Sequence, residues 1–177
     1  TRIAIVEDEA ALREMLVRHR QVLAAVAVSN LGHLPIAEGL ELPLRGDLGM
    51  NVFNSRALLF LRELGLSTAA VSFELRHQQI RDLKKYLPCE AVVYGRLPLM
   101  RLRACPVNRC RACPGQSELT DRKGVRFPLL CDARRYATLF NSVPLYIGDK
   151  RLDGLDFATL YFTIESPREC RAVLEAF

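Results

Sequence analysis

An alternation in the chain constrains its fold more than anything else. Short apolar or β-branched runs are each followed by a polar residue and then by a stretch with helical spacing. Residues 3–6, 22–29, 44–53, 69–73, 91–94 and 159–164 read as strands. Residues 8–20, 34–40, 56–64 and 78–86 read as helices, the third with Asn54 or Ser55 as N-cap and Gly65 as C-cap. Ser166-Pro167-Arg168-Glu169 opens a last helix, with a cap, a proline at the first position and a glutamate at the third. Parallel strands need crossovers, so this order predicts an α/β chain with a parallel sheet. Six such strands in 177 residues fit an open doubly wound sheet or most of a (β/α)8 TIM-type barrel. No G-x-G-x-x-G loop follows the first strand, which disfavours the dinucleotide-binding form.

Between Met100 and Lys150 the alternation stops. Residues 125–130 and 136–146 have strand-like content, so 100–150 reads as an inserted loop and hairpin within a single domain over 1–177. Four of the six cysteines lie in this insert: Cys105, Cys110, Cys113 and Cys131, spaced C-x4-C-x2-C, then seventeen residues, then C. Four thiolates complete a zinc or an iron–sulfur site. A disulfide framework suits small secreted domains, and nothing here indicates secretion. Cys89, before an apolar strand, and Cys170, in the last helix, read as core. Charge concentrates here too. Residues 96–135 hold ten Lys/Arg against three acids, so this segment carries +7 and the rest −2 of the overall +5. A basic block of this kind attracts polyanions.

Composition excludes several classes. Half the residues are hydrophobic and 25% are charged, an ordinary globular balance. The longest uninterrupted apolar run, residues 22–28, is far short of the ~20 residues of a spanning helix. The charged opening (Glu7, Asp8, Glu9) carries no secretory core, so a cytoplasmic protein without a membrane partner is expected. The start at Thr1 suggests a fragment.

Polar residues gather where strands end: Glu7, Asp8, Asn30, Asn51, Asn54, Glu74, Arg96 and Glu165. Barrels keep their active sites at such ends. For Asp8, Asn30 and Asn54 capping is a better explanation than catalysis. Glu74 and Glu165 each close an apolar run and, with Arg96, are the catalytic candidates. Asn30, Asn51, Asn54, Arg96, Arg122 and Lys123 are the candidates for holding substrate. Arg96 can fork onto a carboxylate or phosphate. Tyr94, Phe127, Tyr136 and Phe140 could stack a base, although a core role suits most of them. The three histidines form no H-E-x-x-H, and no G-x-S-x-G is present.

Two resemblances add to this reading. Ile3 to Arg13 resembles the start of a response-regulator receiver domain over about a dozen residues, but Asp47 stands before the third strand ends and a receiver has no cysteine insert. The longer resemblance spans nearly the whole chain. It rests on Ser29-Asn30-Leu31-Gly32, Arg45-Gly46-Asp47-Leu48-Gly49-Met50-Asn51-Val52-Phe53-Asn54-Ser55, Ser72-Phe73-Glu74-Leu75, Val93-Tyr94-Gly95-Arg96-Leu97-Pro98-Leu99-Met100, Cys105-Pro106, Leu119-Thr120-Asp121-Arg122-Lys123-Gly124 with Phe127-Pro128, and Phe140-Asn141-Ser142. In order and spacing these segments resemble the collagenase-like peptidase family U32.

That resemblance implies the C-terminal portion of a (β/α)8-type catalytic domain, with the N-terminal part of the same barrel missing. It implies a [4Fe–4S] cluster on Cys105, Cys110, Cys113 and Cys131, with zinc the alternative. Relatives are oxygen-independent hydroxylases of RNA bases, some with prephenate as oxygen donor, or of a quinone precursor; the older label is protease. The expected function is therefore an iron–sulfur hydroxylase acting on RNA or another anionic substrate. A collagenase-like peptidase and a zinc-stapled binding module stand as alternatives. The cysteine site is expected beside Arg96, and an isolated partial barrel is expected to associate through its open edge.

Overall fold

The computed structural model describes residues 6–107, 115–132, 136–150 and 153–177. The chain divides into two compact units, Thr1–Val92 with Leu152–Thr159, and Val93–Arg151 with Leu160–Phe177. The α/β reading holds. In chain order the elements are α1 (Val6–His19), β1 (Val26–Val28), α2 (Leu34–Ala37), β2 (Leu44–Gly46), α3 (Ser55–Glu63), β3 (Leu66–Ala70), α4 (His77–Asp82), β4 (Cys89–Gly95), β5 (Pro98–Leu102), β6 (Gln116–Thr120), β7 (Arg126–Asp132), β8 (Tyr136–Phe140), β9 (Leu145–Tyr146), β10 (Phe157–Tyr161) and α5 (Pro167–Ala176).

In the first unit β1, β2, β3 and the start of β4 pair in parallel, with registers such as Val26↔Leu44, Gly46↔Ala69 and Ala69↔Cys89. The strand order of the whole sheet is β1-β2-β3-β4-β10, with β9 pairing β4. Helical crossovers leave no room for water on the sheet face they cover. Val28, Val52, Leu58, Val71 and Cys89 are fully buried there, joined by Leu16, Ile36 and Ile80. Burial of such side chains is worth about 1.5–3 kcal/mol each. Asn54 caps α3, its side-chain oxygen accepting from the Ala57 N–H at 3.0 Å.

Several sequence boundaries shift. The strand read over 3–6 lies outside the described residues, apart from Val6, which opens α1. The second strand shortens to β1, because Arg20–Val22 continue α1 as a 3-10 turn and leave Val22 80% exposed. The third ends at Gly46. Asp47 Oδ1 then accepts from the Leu48 N–H at 2.7 Å and starts a 3-10 turn, and Asn51 reverses the chain at φ 47°. Val52 rejoins the sheet as a single bridge to Val71.

The opposite sheet face carries a polar cluster. Glu90 on β4 is 4% exposed, in a strand with no exposed residue. Arg45 on β2 reaches its Oε2 at 2.5 Å, Thr159 on β10 donates to the same oxygen at 2.8 Å, and Thr68 on β3 lies 3.4 Å from Oε1. One carboxylate thus joins four strands.

In the second unit the insert is larger than a loop and hairpin. Its strands form a four-stranded antiparallel sheet in the order β5-β8-β7-β6, and it begins at Pro98, not Met100. The physical reason is that β5, read as part of a loop, pairs with β8 from Pro98↔Phe140 to Leu102↔Ala137. The β6–β7 turn is closed by Asp121, whose Oδ1 accepts from the Lys123 and Val125 N–H groups at 2.8 and 2.9 Å. β9 pairs antiparallel with the end of β4, Tyr94↔Tyr146. Gly95, at φ 141°, lies against the Tyr161 carbonyl, where a Cβ would stand 2.3 Å from the oxygen. Only glycine fits there.

Breaking the Glu90 ladder should be asymmetric. Arg45→Met leaves a buried carboxylate without its cation and should cost on the order of 1–3 kcal/mol, less than a fully buried pair because Arg45 is half-exposed. Glu90→Gln, which keeps the hydrogen bonds, should cost about 1 kcal/mol or less. Urea midpoints of the two variants check the order, and a more stable Arg45→Met contradicts it.

Candidate functional site

The ends of β1 and β2 carry one polar cluster. Ser29 Oγ donates to Asp47 Oδ2 at 3.0 Å, and the Ser29 N–H donates to His33 Nδ1 at 3.2 Å. That second bond puts the imidazole proton on Nε2. The Asn30 carboxamide, 3.0 Å from Nε2, must therefore turn its oxygen to it. His33 is buried, at 4% exposure. Gly49 makes the cluster compact, since a Cβ there would stand 2.2 Å from the Ser29 carbonyl. Asn30 also lines an open cleft of about 250 Å3 with Leu31, Met50 and Phe60.

Serine, histidine and aspartate together invite comparison with a hydrolytic triad, but the wiring differs. A triad serine gives its proton to the imidazole. Here the hydroxyl proton goes to Asp47, and the facing imidazole nitrogen is filled by a backbone N–H.

The other strand-end candidates separate. Asn54 is a helix cap, as read. Asn51 is an exposed turn residue, and Glu74 is exposed beyond β3, its N–H 3.4 Å from Ser72 Oγ. Glu7 lies in α1.

Two candidates fall together in the second unit. Arg96 follows β4 and its guanidinium donates to the Asn141 carbonyl at 3.1 Å and to the Ser142 carbonyl. Glu165 follows β10, and its Oε2 accepts from the N–H groups of Thr163 at 2.6 Å and Ile164 at 3.0 Å. Tyr94 lies within the field of both: burial and then the Glu165 charge push its phenol up from the ordinary value, against Arg96, which lowers it. Its ring meets Phe162 at 5.6 Å. Next door, hydrogen bonds from Ser166 hold the Glu169 carboxyl below its usual value, in the capping box that starts α5.

The cysteines lie elsewhere. Cys131 is near the end of β7, paired with Ala137, which pairs in turn with Leu102 on β5. Cys105 follows Leu102 by three residues, and both thiols are free and partly buried. The Cys131 N–H donates to the Gly115 carbonyl at 2.8 Å, so the chain re-enters the sheet at this same end. Cys110 and Cys113 lie outside the described residues, between Val107 and Gly115. Among the described residues no three His, Cys, Asp or Glu side chains gather as a metal site.

This placement corrects one expectation. Cys105 and Cys131 do not sit beside Arg96. Arg96 precedes the start of β5 and the cysteines follow its far end, so about 13 Å of strand separates them at ~3.3 Å per residue. Strand length, which spacing alone does not reveal, decides this. Arg122 and Lys123, exposed in the β6–β7 turn, are likewise at the end away from the cysteines. Beside the cysteine end, Arg101 stacks on Tyr136 at 5.0 Å and donates to Thr138 at 3.0 Å.

Sequence reasoning missed His33, Asp47 and Glu90. For Glu90 a signal existed: one acid inside an otherwise apolar strand, with one arginine inside Leu44–Gly46 to answer it. The Ser29–Asp47 pairing, eighteen residues apart, had none.

Among the described residues no helix is long and apolar enough to cross a membrane. Comparison with known proteins gives one match: residues 4–112 fit the family model described as Peptidase family U32. No curated protein and no solved structure matches.

Cys89 and the insert cysteines should behave differently. Cys89 is fully buried, and burial pushes its thiol from 9.0 up to about 11. It should resist iodoacetamide at pH 8 in the folded chain, while Cys105 and Cys131 react. Because the folded thiol holds its proton more tightly than the unfolded one, its share of stability is complete below pH 9 and is lost as pH rises through about 11. Peptide mapping after timed alkylation, and urea midpoints across pH 8–11, check both parts. Rapid labelling of native Cys89 contradicts them.

Proposed function

The chain belongs to peptidase family U32, and on that premise we propose that it forms part of an iron–sulfur enzyme that hydroxylates an anionic substrate, an RNA base first among them, without molecular oxygen. One observation carries the reading. The antiparallel sheet brings Cys105, Cys131 and the returning Gly115 to one end, with Cys110 and Cys113 in the chain between. Two partly buried, free thiols at one sheet end fit the donor chemistry of a cluster, which is soft and sulfur-rich. Cys105, Cys110, Cys113 and Cys131 would hold it, and when bound it would supply low-potential electron transfer.

The remaining residues bind and orient. Arg101 lies over the Tyr136 ring and so places a cation at the cysteine end of the sheet. A base stacked there would add on the order of 1–3 kcal/mol. Arg122 and Lys123 stand at the other end of the sheet, where a polyanion lying along it would meet them. Arg96, anchored on two carbonyls, braces the segment after β8 and needs no ligand to fix it. A carboxylate donor of the prephenate type fits the same basic block. A (β/α)8 barrel, completed by strands of the same protein, is the architecture this function implies, with a cytoplasmic setting.

The protease alternative draws on the family label. The direct Ser29–Asp47 bond does not favour a serine mechanism.

Anaerobic reconstitution tests the proposal. The chain should turn brown and take up about four irons, and Cys131→Ser or Cys105→Ser should lose them. Uptake of zinc alone overturns the redox reading. Full iron content in Cys131→Ser overturns the quartet.

A further inference from the structure

We propose that the cleft at the ends of β1 and β2, in the first unit, binds a neutral aromatic carboxamide of a single ring. The cleft holds about 250 Å3. Pockets for drug-sized ligands run to ~300–1,000 Å3, so this one matches a single ring. Leu61, at 4% exposure, is buried in its lining, while Leu31 and Phe60 are half-exposed beside it.

The lining sets the polarity. Among the described residues none that lines the cleft is charged. An ionised ligand would lose water there without meeting a counter-charge. The Phe60 ring and the Met50 thioether favour an aromatic ligand over an aliphatic one, through ring–ring and sulfur–ring contacts.

Asn30 selects the functional group. The Ser29 N–H occupies His33 Nδ1 at 3.2 Å, so Nε2 carries the proton and donates to the Asn30 oxygen at 3.0 Å. The carboxamide NH2 is the group left over. The Asn30 side chain makes no capping bond to the 3-10 turn Leu31–His33 that follows it, and among the described residues the NH2 has no partner. Two N–H donors on a residue that lines the cleft are matched by a carbonyl oxygen, and an amide carbonyl is a strong acceptor without charge.

The walls are built in advance. His33 fixes the Asn30 oxygen, and Gly49 lies against the Ser29 carbonyl, where no Cβ would fit. The Met50 N–H donates to the Asp47 carbonyl at 2.9 Å. The Asn54 cap anchors the first turn of α3, which carries Ala57. Binding therefore orders little that is not already ordered.

Calorimetry and saturation-transfer NMR on the full chain test the site, with benzamide as the probe. Benzoate, which is charged, and cyclohexanecarboxamide, which is not planar, are the controls. Benzamide should bind saturably and about tenfold more tightly than either. Ala57→Leu, which fills the cleft, should abolish binding. Asn30→Asp, which keeps an oxygen for His33 and removes the NH2, should weaken it about tenfold. No saturable binding of benzamide, equal binding of either control, or full affinity in Ala57→Leu or Asn30→Asp overturns the proposal. If Ala57→Leu does not fold, Phe60→Ala, at a half-exposed position, replaces it under the same criterion. Self-association that Phe60→Ala abolishes, without benzamide binding, assigns the cleft to a second copy of the chain and overturns the proposal too. The readout needs no iron, so its outcome is independent of the cluster proposal.

Discussion

A single buried carboxylate sets the register of the parallel sheet. Glu90 sits in a strand with no exposed residue, where an uncompensated charge would be untenable. It is tolerated because Arg45, Thr68 and Thr159 reach it from three other strands. A slip of one residue in β2 would turn Arg45 to the opposite face and leave Glu90 without its cation. Apolar burial supplies the driving force, and the polar ladder supplies the choice among arrangements.

The strand ends show how closely structure and chemistry are mixed. Asp47 both starts a 3-10 turn and receives the Ser29 hydroxyl. Asn30 answers a buried histidine, and Asn54 caps α3. Residue type alone would rank these two asparagines equally. Their neighbours distinguish them: a helix follows Asn54 directly, whereas Asn30 precedes a 3-10 turn that carries His33 back over it.

Local signals were legible and distant ones were not. The α/β class, the N-cap of α3 and the Ser166–Glu169 capping box follow from residues within four positions of each other, whereas the C-cap of α3 is Leu64, with Gly65 one residue beyond it at φ 85°. The four-stranded sheet was harder, because β5 looks like loop until Arg101 finds Thr138, thirty-seven residues on. The same long separation hid the distance between Arg96 and the cysteines. Among the site residues, Arg96 and Glu165 were found as strand-end polar groups.

The ladder also orders the assembly of the chain. Glu90 meets Thr159 across sixty-nine residues, and the whole antiparallel sheet lies between them in sequence. Such a contact is costly to close in an open chain, and topologies rich in such contacts fold slowly. The adjacent hairpin β6–β7, closed by the Asp121 turn, depends on neighbours only a few residues apart and can form early. Once it and β8 have collapsed, the excursion between β4 and β10 is no longer a free loop but a tethered body with its ends drawn in. The pairing of Pro98 with Phe140 brings the first and last strands of the inserted sheet together, so the chain leaves and returns at neighbouring points.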